Sequence, residues 1–217
     1  MKVTKLSSQK KDSSRVNIYI DDEFFCGLSL DSVAKFNLYV GAELNDEELK
    51  EILNNELLNR FTQRAMSYIS RSLRTEFQLR RYLKDLSIKK KNDWYSEIEK
   101  EELEKITDAV ISKLGEYGYI DDAMFAEQFV LSRVKNKPRG KMILISELVS
   151  KGVSKDMATE KVNEIVEDEY SVLSRVYTKK FKNEKISLQD RKKIDFLRRK
   201  GFNWNLIERF INNEPTE

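Results

Sequence analysis

The residues flanking Gly152 recur around Gly201 in the same register over eighteen positions. Ile145, Leu148 and Lys151 precede the first glycine as Ile194, Leu197 and Lys200 precede the second. Val153, Ser154, Met157 with Ala158, and Val162 come after the first as Phe202, Asn203, Leu206 with Ile207, and Ile211 come after the second. Each copy reads as helix, tight turn, helix. The glycine supplies the left-handed residue that ends a helix. Ser154 and Asn203 stand as N-caps of the next helix. The apolar spacings put one stripe on each helix. A repeated helical unit means an array, and arrays usually bind rather than transform.

Composition narrows the function classes. The 217 residues suffice for one large domain or two small ones. No apolar run reaches the length of a membrane span, and Met1–Lys5 carries no hydrophobic signal core. Cys26 is the single cysteine, which excludes an internal disulfide and fits a reducing compartment. A cytoplasmic protein is expected. Histidine is absent, which removes the commonest general base, the commonest zinc ligand and every Ser-His or Cys-His nucleophile pair. The expectation is a non-enzyme without cofactor or metal. The net charge of +3 hides an uneven distribution. Residues 1–60 hold 8 basic and 11 acidic side chains, so of the chain's 40 and 37 the remainder holds 32 and 26. From Arg64 to Lys91 nine side chains are basic and two acidic; from Asp93 to Glu127 three are basic and eleven acidic; from Arg175 to Lys200 eleven are basic and three acidic. Such blocks imply separate positive and negative patches.

The first forty-odd residues read differently from the rest. Val16–Ile20 alternates and is rich in β-branched residues, Asp21-Asp22 is a turn, and Phe24–Leu28 is a second strand. Val3–Leu6 is a third candidate, and a short helix spans roughly Leu30 to Phe36. Cys26 here is a small buried hydrophobe or, alternatively, a reactive thiol. Asn45 with Glu48 forms a capping box for a long helix, whose apolar spacing runs through Leu73; a break near Asn59 is the alternative. A helix comes after Thr75. Ser87-Ile88 replaces the glycine turn of the later copies, and the polar stretch Lys89–Glu101 reads as a loop or frayed extension. Later helices carry Ile106 to Leu114, Phe125 to Val130, Lys141 to Ser150 and Asp156 to Val166, with a loop over Asn136–Gly140. Asp121 or Asp122 caps the helix of Phe125; a metal-binding pair is the weaker alternative.

Three basic sets are candidate contact surfaces. Arg71, Arg74, Arg80 and Arg81, with Arg64 and Lys84, stand near Phe77 and Tyr82 and could grip phosphates or stack on bases. Arg133, Arg139 and Lys141, with Lys135 and Lys137, surround the only mid-chain proline. The densest set holds Lys179, Lys180, Arg191, Arg198 and Arg199, with Lys192, Lys193 and Lys200. Arg191, Arg198 and Arg199 are expected on the polar face opposite Ile194 and Leu197, an electrostatic footprint for a polyanion. The alternative for every set is a solvated helix face.

Gly118-Tyr119-Ile120-Asp121-Asp122-Ala123-Met124-Phe125-Ala126-Glu127 resembles the most recognisable stretch of the RecX regulatory family. Arg133, Pro138-Arg139-Gly140, Ile145, Leu148 and Lys151-Gly152-Val153 resemble the next part of that family's pattern, and Phe196–Phe202 resembles its C-terminal repeat. Arg71, Leu73, Arg74, Leu79, Arg80 and Leu83 resemble its first repeat. The resemblance covers roughly 61–211, and 1–60 is similar to the extension of longer members. The helices and turns read along the chain give a mainly α fold: three tandem three-helix repeats in an elongated array after a small β-containing N-terminal domain. The divisions are a β-rich cap over 1–45, a linking helix over 46–60, and repeats over 61–120 (with an insertion at 89–101), 121–167 and 168–217. The function implied by the resemblance is binding to the RecA recombinase on its single-stranded DNA filament, with inhibition of strand exchange, ATP hydrolysis and co-protease activity. A monomer is expected. The alternatives are a general DNA-binding protein using helix-turn-helix-like pairs and an enzyme working through carboxylates and metal.

Overall fold

The computed structural model describes residues 1–10, 12–89, 100–182 and 184–212. Most of the polar Lys89–Glu101 stretch lies outside them. The chain divides into two units. The first comprises Met1–Ser72 with Leu79–Tyr119, the second Leu73–Gln78 with Ile120–Glu217.

The first unit opens with strands β1 (Val3–Ser8), β2 (Arg15–Ile20) and β3 (Glu23–Ser29), antiparallel in the order β1-β2-β3. The β2–β3 connection is the two-residue turn Asp21-Asp22, with φ of 47° and 67°. Two consecutive left-handed residues give the turn twist that antiparallel strands need. Alternation buries Val16, Ile18 and Ile20 on one face, opposite Cys26 and Leu28 of β3. Helix α1 (Leu30–Lys35) is capped by the Ser29 hydroxyl, which accepts from the Ser32 amide.

Helix α2 (Asp46–Ile69) begins at the expected capping box: Glu48 N donates to Asn45 Oδ1 at 2.9 Å, and Asn45 N to Glu48 Oε2 at 2.8 Å. It passes Asn59 without a break. Leu49 and Ile52 join the sheet's core. The helix stops at Ile69, before the expected Leu73, which is 44% exposed. Apolar spacing continues past the point where the backbone turns. Helices α3 (Glu76–Lys89) and α4 (Lys100–Glu116) add Leu79, Leu83, Ile106, Val110, Ile111 and Leu114 to the buried residues. Tyr68 of α2 stacks on Tyr82 of α3 with centroids 4.2 Å apart. Asn54 of α2 donates to Glu102 of α4 at 2.6 Å.

One charged side chain sits on the buried face of α2. Glu56 is 0% exposed, and its Oε1 accepts from both Arg15 of β2 and Arg60 one turn on. Both guanidiniums also donate to the Gly27 carbonyl of β3. The network ties two strands to the helix.

The second unit carries α5 (Asp122–Asn136), α6 (Lys141–Ser150), α7 (Lys155–Ile165), α8 (Glu169–Phe181), α9 (Arg191–Arg199) and α10 (Trp204–Ile211). One continuous core joins Phe125, Val130, Leu144, Leu148, Val153, Ala158 and Val162 to Leu173, Val176, Ile194, Leu197, Phe202 and Ile207. Gly152 and Gly201 have φ of 96° and 92°, and Ser154 and Asn203 cap α7 and α10. The turns expected from the repeat are therefore present.

The use made of these turns is not visible in the repeat. The start of α6 rests on the turn between α9 and α10. Gly140 N donates to the Lys200 carbonyl at 2.8 Å, and Lys141 N to Glu169 Oε1 at 2.7 Å. A Cβ on Gly140 would overlap the Gly201 carbonyl, and one on Gly201 would lie 2.7 Å from Ile143 Cγ1. The start of α3 rests in the same way on the turn between α6 and α7. Thr75 Oγ1 donates to the Lys151 carbonyl at 2.6 Å, Glu76 N to Asp122 Oδ1 at 2.9 Å, and a Cβ on Gly152 would overlap Phe77.

Two outcomes are expected in the first unit. Glu56→Ala leaves two largely buried guanidiniums uncompensated and lowers stability by about 3–5 kcal/mol in urea denaturation. Glu56→Gln, which keeps an acceptor, loses less. A loss under about 1 kcal/mol for Glu56→Ala would mark the pair as surface-like. Burial, with the Glu56 charge adding to it, pushes the Cys26 thiol up to about 12. The native protein at about pH 8 therefore resists iodoacetamide until denaturant is added. Labelling in native buffer at the rate of a free thiol would contradict this burial.

Candidate nucleic-acid and partner interface

The second unit brings parts of two basic sets together. Helix α8 is started by Asp168, whose carboxylate accepts from Ser171 N at 3.0 Å. Val172, Leu173, Val176 and Tyr177 face inward, leaving Lys179 and Lys180 exposed on the last turn. Ile194 and Leu197 anchor α9. At about 100° per residue, Phe196 and Lys200 then share one flank of α9 with Lys192 and Arg199 beside them. Arg191 and Arg198 fall on the other flank. The Gly140–Lys200 hydrogen bond holds the Asn136–Gly140 loop across the end of α9.

A cleft of about 360 Å³ lies between these elements. Lys137 and Arg139 come from the loop, Lys179 and Lys180 from α8, and Lys200 from the end of α9; Pro138, Val176 and Phe196 supply apolar walls. No acidic side chain is among its lining residues. The ammonium groups of Lys180 and Lys200 stand 5.0 and 5.5 Å from the Phe196 ring centre. That geometry holds both cations at the cleft by cation–π attraction. A second cleft of about 360 Å³ shares Lys180 and Phe196 with the first and adds Phe181, Lys192, Asp195 and Arg199.

The other expected contact residues are placed differently. Arg133 pairs with Glu147 at 2.9 Å and lies over the Phe129 ring at 4.8 Å. Arg139 shares the same carboxylate at 3.5 Å. Lys141 donates from Nζ to Asn163 Oδ1 at 3.0 Å, and its backbone amide serves the α6 junction. In the first unit Arg80 pairs with Asp108 of α4, Arg81 is exposed on α3, and Arg71 is exposed after α2. Arg74, in the second unit, is half-buried. Arg191 and Arg198 are exposed on α9 and do not line either cleft; Arg199 does. Phe196 is not among the contact residues expected from the sequence. Its signal is nonetheless legible there: a large aromatic one position off the Ile194–Leu197 stripe, between cations.

The paired aspartates have structural employment. Asp121 is the N-cap of α5, accepting from Met124 N at 2.8 Å. Asp122 accepts from Glu76 N; burial holds its carboxyl above the ordinary value against that hydrogen bond, with Glu76 and Asp121 raising it further. Among the described residues no group of three or more Asp, Glu or Cys could hold a metal ion. No helix among them is long and apolar enough to cross a membrane.

Comparison with known proteins points in one direction. A family model described as the regulatory protein RecX N-terminal domain matches residues 1–45, and one described as the RecX second three-helix domain matches 121–161. The regulatory protein RecX of Clostridioides difficile (strain 630) is 32% identical over 216 residues, covering 97% of this chain and 94% of that one. The regulatory protein RecX of Bacillus subtilis (strain 168) is 28% identical over 226 residues, covering 99% and 80%. A solved crystal structure of a regulatory protein RecX shares the fold with a TM-score of 0.69 at 22% identity, covering 98% of this chain and 99% of that one. That of RecX from Lactobacillus salivarius reaches 0.57 at 19%, covering 73% and 97%.

The start of α8 gives a pH-dependent expectation. The Ser171 hydroxyl, and then its amide, hold the Asp168 carboxyl below its ordinary value. A carboxyl lowered in the folded state adds stability above its unfolded value and loses it as pH falls through the folded one. Asp168→Ala should therefore cost on the order of 1 kcal/mol at neutral pH, and the difference from wild type should close as the solution is acidified below about pH 4. Thermal melts across that range check it; a difference independent of pH would show that the carboxylate is not the cap.

Proposed function

The chain belongs to the RecX regulatory family, and from that membership we propose that it binds the RecA recombinase on its single-stranded DNA filament and inhibits strand exchange, ATP hydrolysis and co-protease activity. The observation that carries the reading is similarity along nearly the whole chain to relatives named regulatory protein RecX, at 32% identity over 216 residues in one case. The chemistry agrees in kind. A histidine-free chain whose two clefts beside Phe196 are lined mainly by lysine, arginine and apolar side chains is suited to gripping a polyanion, not to transferring protons or groups. The same reading places the protein in the cytoplasm, as a monomer that acts without cofactor. The basic clefts also favour a second reading, a general DNA-binding protein that needs no recombinase.

Titration of RecA's DNA-dependent ATPase with this protein tests the first reading. The rate is expected to fall as the protein is added. An unchanged rate at saturating protein would overturn inhibition. Equal affinity for bare single-stranded DNA and for the RecA filament would favour the second reading instead.

A further inference from the structure

We propose that the two clefts flanking Phe196 form one groove for single-stranded nucleic acid, assembled from the Asn136–Gly140 loop and helices α8 and α9, and intact only while Gly140 is seated on the Lys200–Gly201 turn. The inference deepens the proposed function and rests on it for the class of partner.

Length is the first argument. Lys180 and Phe196 line both clefts, so the two adjoin at one aromatic ring. A single anion needs one such cleft; a chain of phosphates uses both. Charge is the second. Lys137, Arg139, Lys179, Lys180 and Lys200 line the first part, and Lys192 and Arg199 the second, where Asp195 is the one lining carboxylate. Wall chemistry is the third. Pro138 and Val176, with Phe196 and Phe181, offer apolar surface between the cations, which suits bases hung from a phosphate backbone. An acidic peptide would bring backbone amides and carbonyls that need partners, and the lining offers ammonium, guanidinium and hydrocarbon rather than a free strand edge.

The dependence on docking comes from provenance. Lys137, Pro138 and Arg139 reach the groove from the α5–α6 connection, the remaining walls from α8 and α9. The two sides are joined beside the groove by Gly140 N on the Lys200 carbonyl at 2.8 Å. A methyl group on Gly140 would overlap the Gly201 carbonyl, parting the walls while leaving every cation in the chain. A simple basic surface would not notice that change; a groove built from two sides would.

The test uses the full-length chain and fluorescein-labelled oligo(dT), with affinity read by anisotropy across a salt series. Lys179→Gln with Lys180→Gln should weaken binding about tenfold and flatten the slope of log affinity against log salt by about 1.4. Gly140→Ala should weaken it by a similar factor although no charge is lost. An unchanged affinity and slope in the lysine pair would overturn the groove. Unchanged binding in a folded Gly140→Ala protein would overturn the docking requirement. If circular dichroism shows that Gly140→Ala does not fold, the lysine pair still decides the groove, and Glu169→Gln, which weakens the Lys141 contact of the same junction without removing a cation, decides the docking requirement: weaker oligo(dT) binding supports it, and unchanged or tighter binding overturns it. Poly-glutamate binding as tightly as oligo(dT) would overturn the assignment to nucleic acid. RecA's ATPase separates this inference from the function it rests on. Groove-dependent oligo(dT) binding without any effect of wild type on the ATPase defeats the function and leaves the groove. ATPase inhibition by wild type, with oligo(dT) binding untouched in the lysine pair, does the reverse.

Discussion

A helix start seated on the glycine turn of the next helix pair is the contact on which the second unit depends. The first amides of a helix and the last carbonyls of another lack intrahelical partners, and burying them unpaired is costly. Here each end satisfies the other. The Lys200 carbonyl at the end of α9 accepts from Gly140 at the start of α6. The Lys151 carbonyl at the end of α6 accepts from Thr75 at the start of α3. The next orphan amides, of Lys141 and Glu76, go to Glu169 and Asp122, the first residues of α8 and α5. The two junctions thus repeat in place but not in donor, a backbone amide at Gly140 and a side-chain hydroxyl at Thr75, and both place a carboxylate against a helix start, where the peptide dipoles favour negative charge.

The same contact explains why three glycines are fixed for different reasons. Gly152 and Gly201 need a left-handed backbone and also bare space, because Phe77 and Ile143 occupy where a Cβ would go. The Gly140 backbone, at φ −69°, is open to any residue, and only the Gly201 carbonyl forbids a side chain there. An alanine that folds locally would still break the junction. Close approach of backbones is what lets one core run from Phe125 to Ile207 through two sets of three helices.

Features set by local rules are legible in the sequence, and those set by distant pairing are not. Strand alternation over Val16–Ile20, the Asn45–Glu48 box and the paired glycine turns depend on neighbours within a few residues, and the structure contains all of them. The expected end of α2 at Leu73 is misplaced because periodicity marks a face, not a stop, and neither Gly nor Pro stands there to mark it. The Arg15–Glu56–Arg60 network spans 41 residues from Arg15 to Glu56. Its one local hint is an acid embedded in the Ile52–Leu57 stripe. The expected contact surfaces are linear runs, yet the clefts beside Phe196 take part of two of them and none of the first. Arg133 goes to Glu147, Arg191 and Arg198 to the far flank of α9, while Lys137 and Lys200, 63 positions apart by number, come to one cleft.

Electrostatics gives that cleft its meaning. Several cations are paired with acids: Arg15 and Arg60 with Glu56, Arg80 with Asp108, Lys193 with Glu184, and Arg133 with Glu147, which Arg139 of the cleft shares. Lys137, Lys179, Lys180 and Lys200 are gathered instead around an apolar wall with no carboxylate in the lining. Like charges held together raise the energy of the free protein, and the faces of one phenylalanine only partly offset that cost for two of them. The neighbouring cleft does hold an acid, Asp195, in its lining. In the proposed groove, a lining without one stores a repulsion that a bound polyanion would relieve, so that stability missing from the free chain would reappear as affinity in the complex.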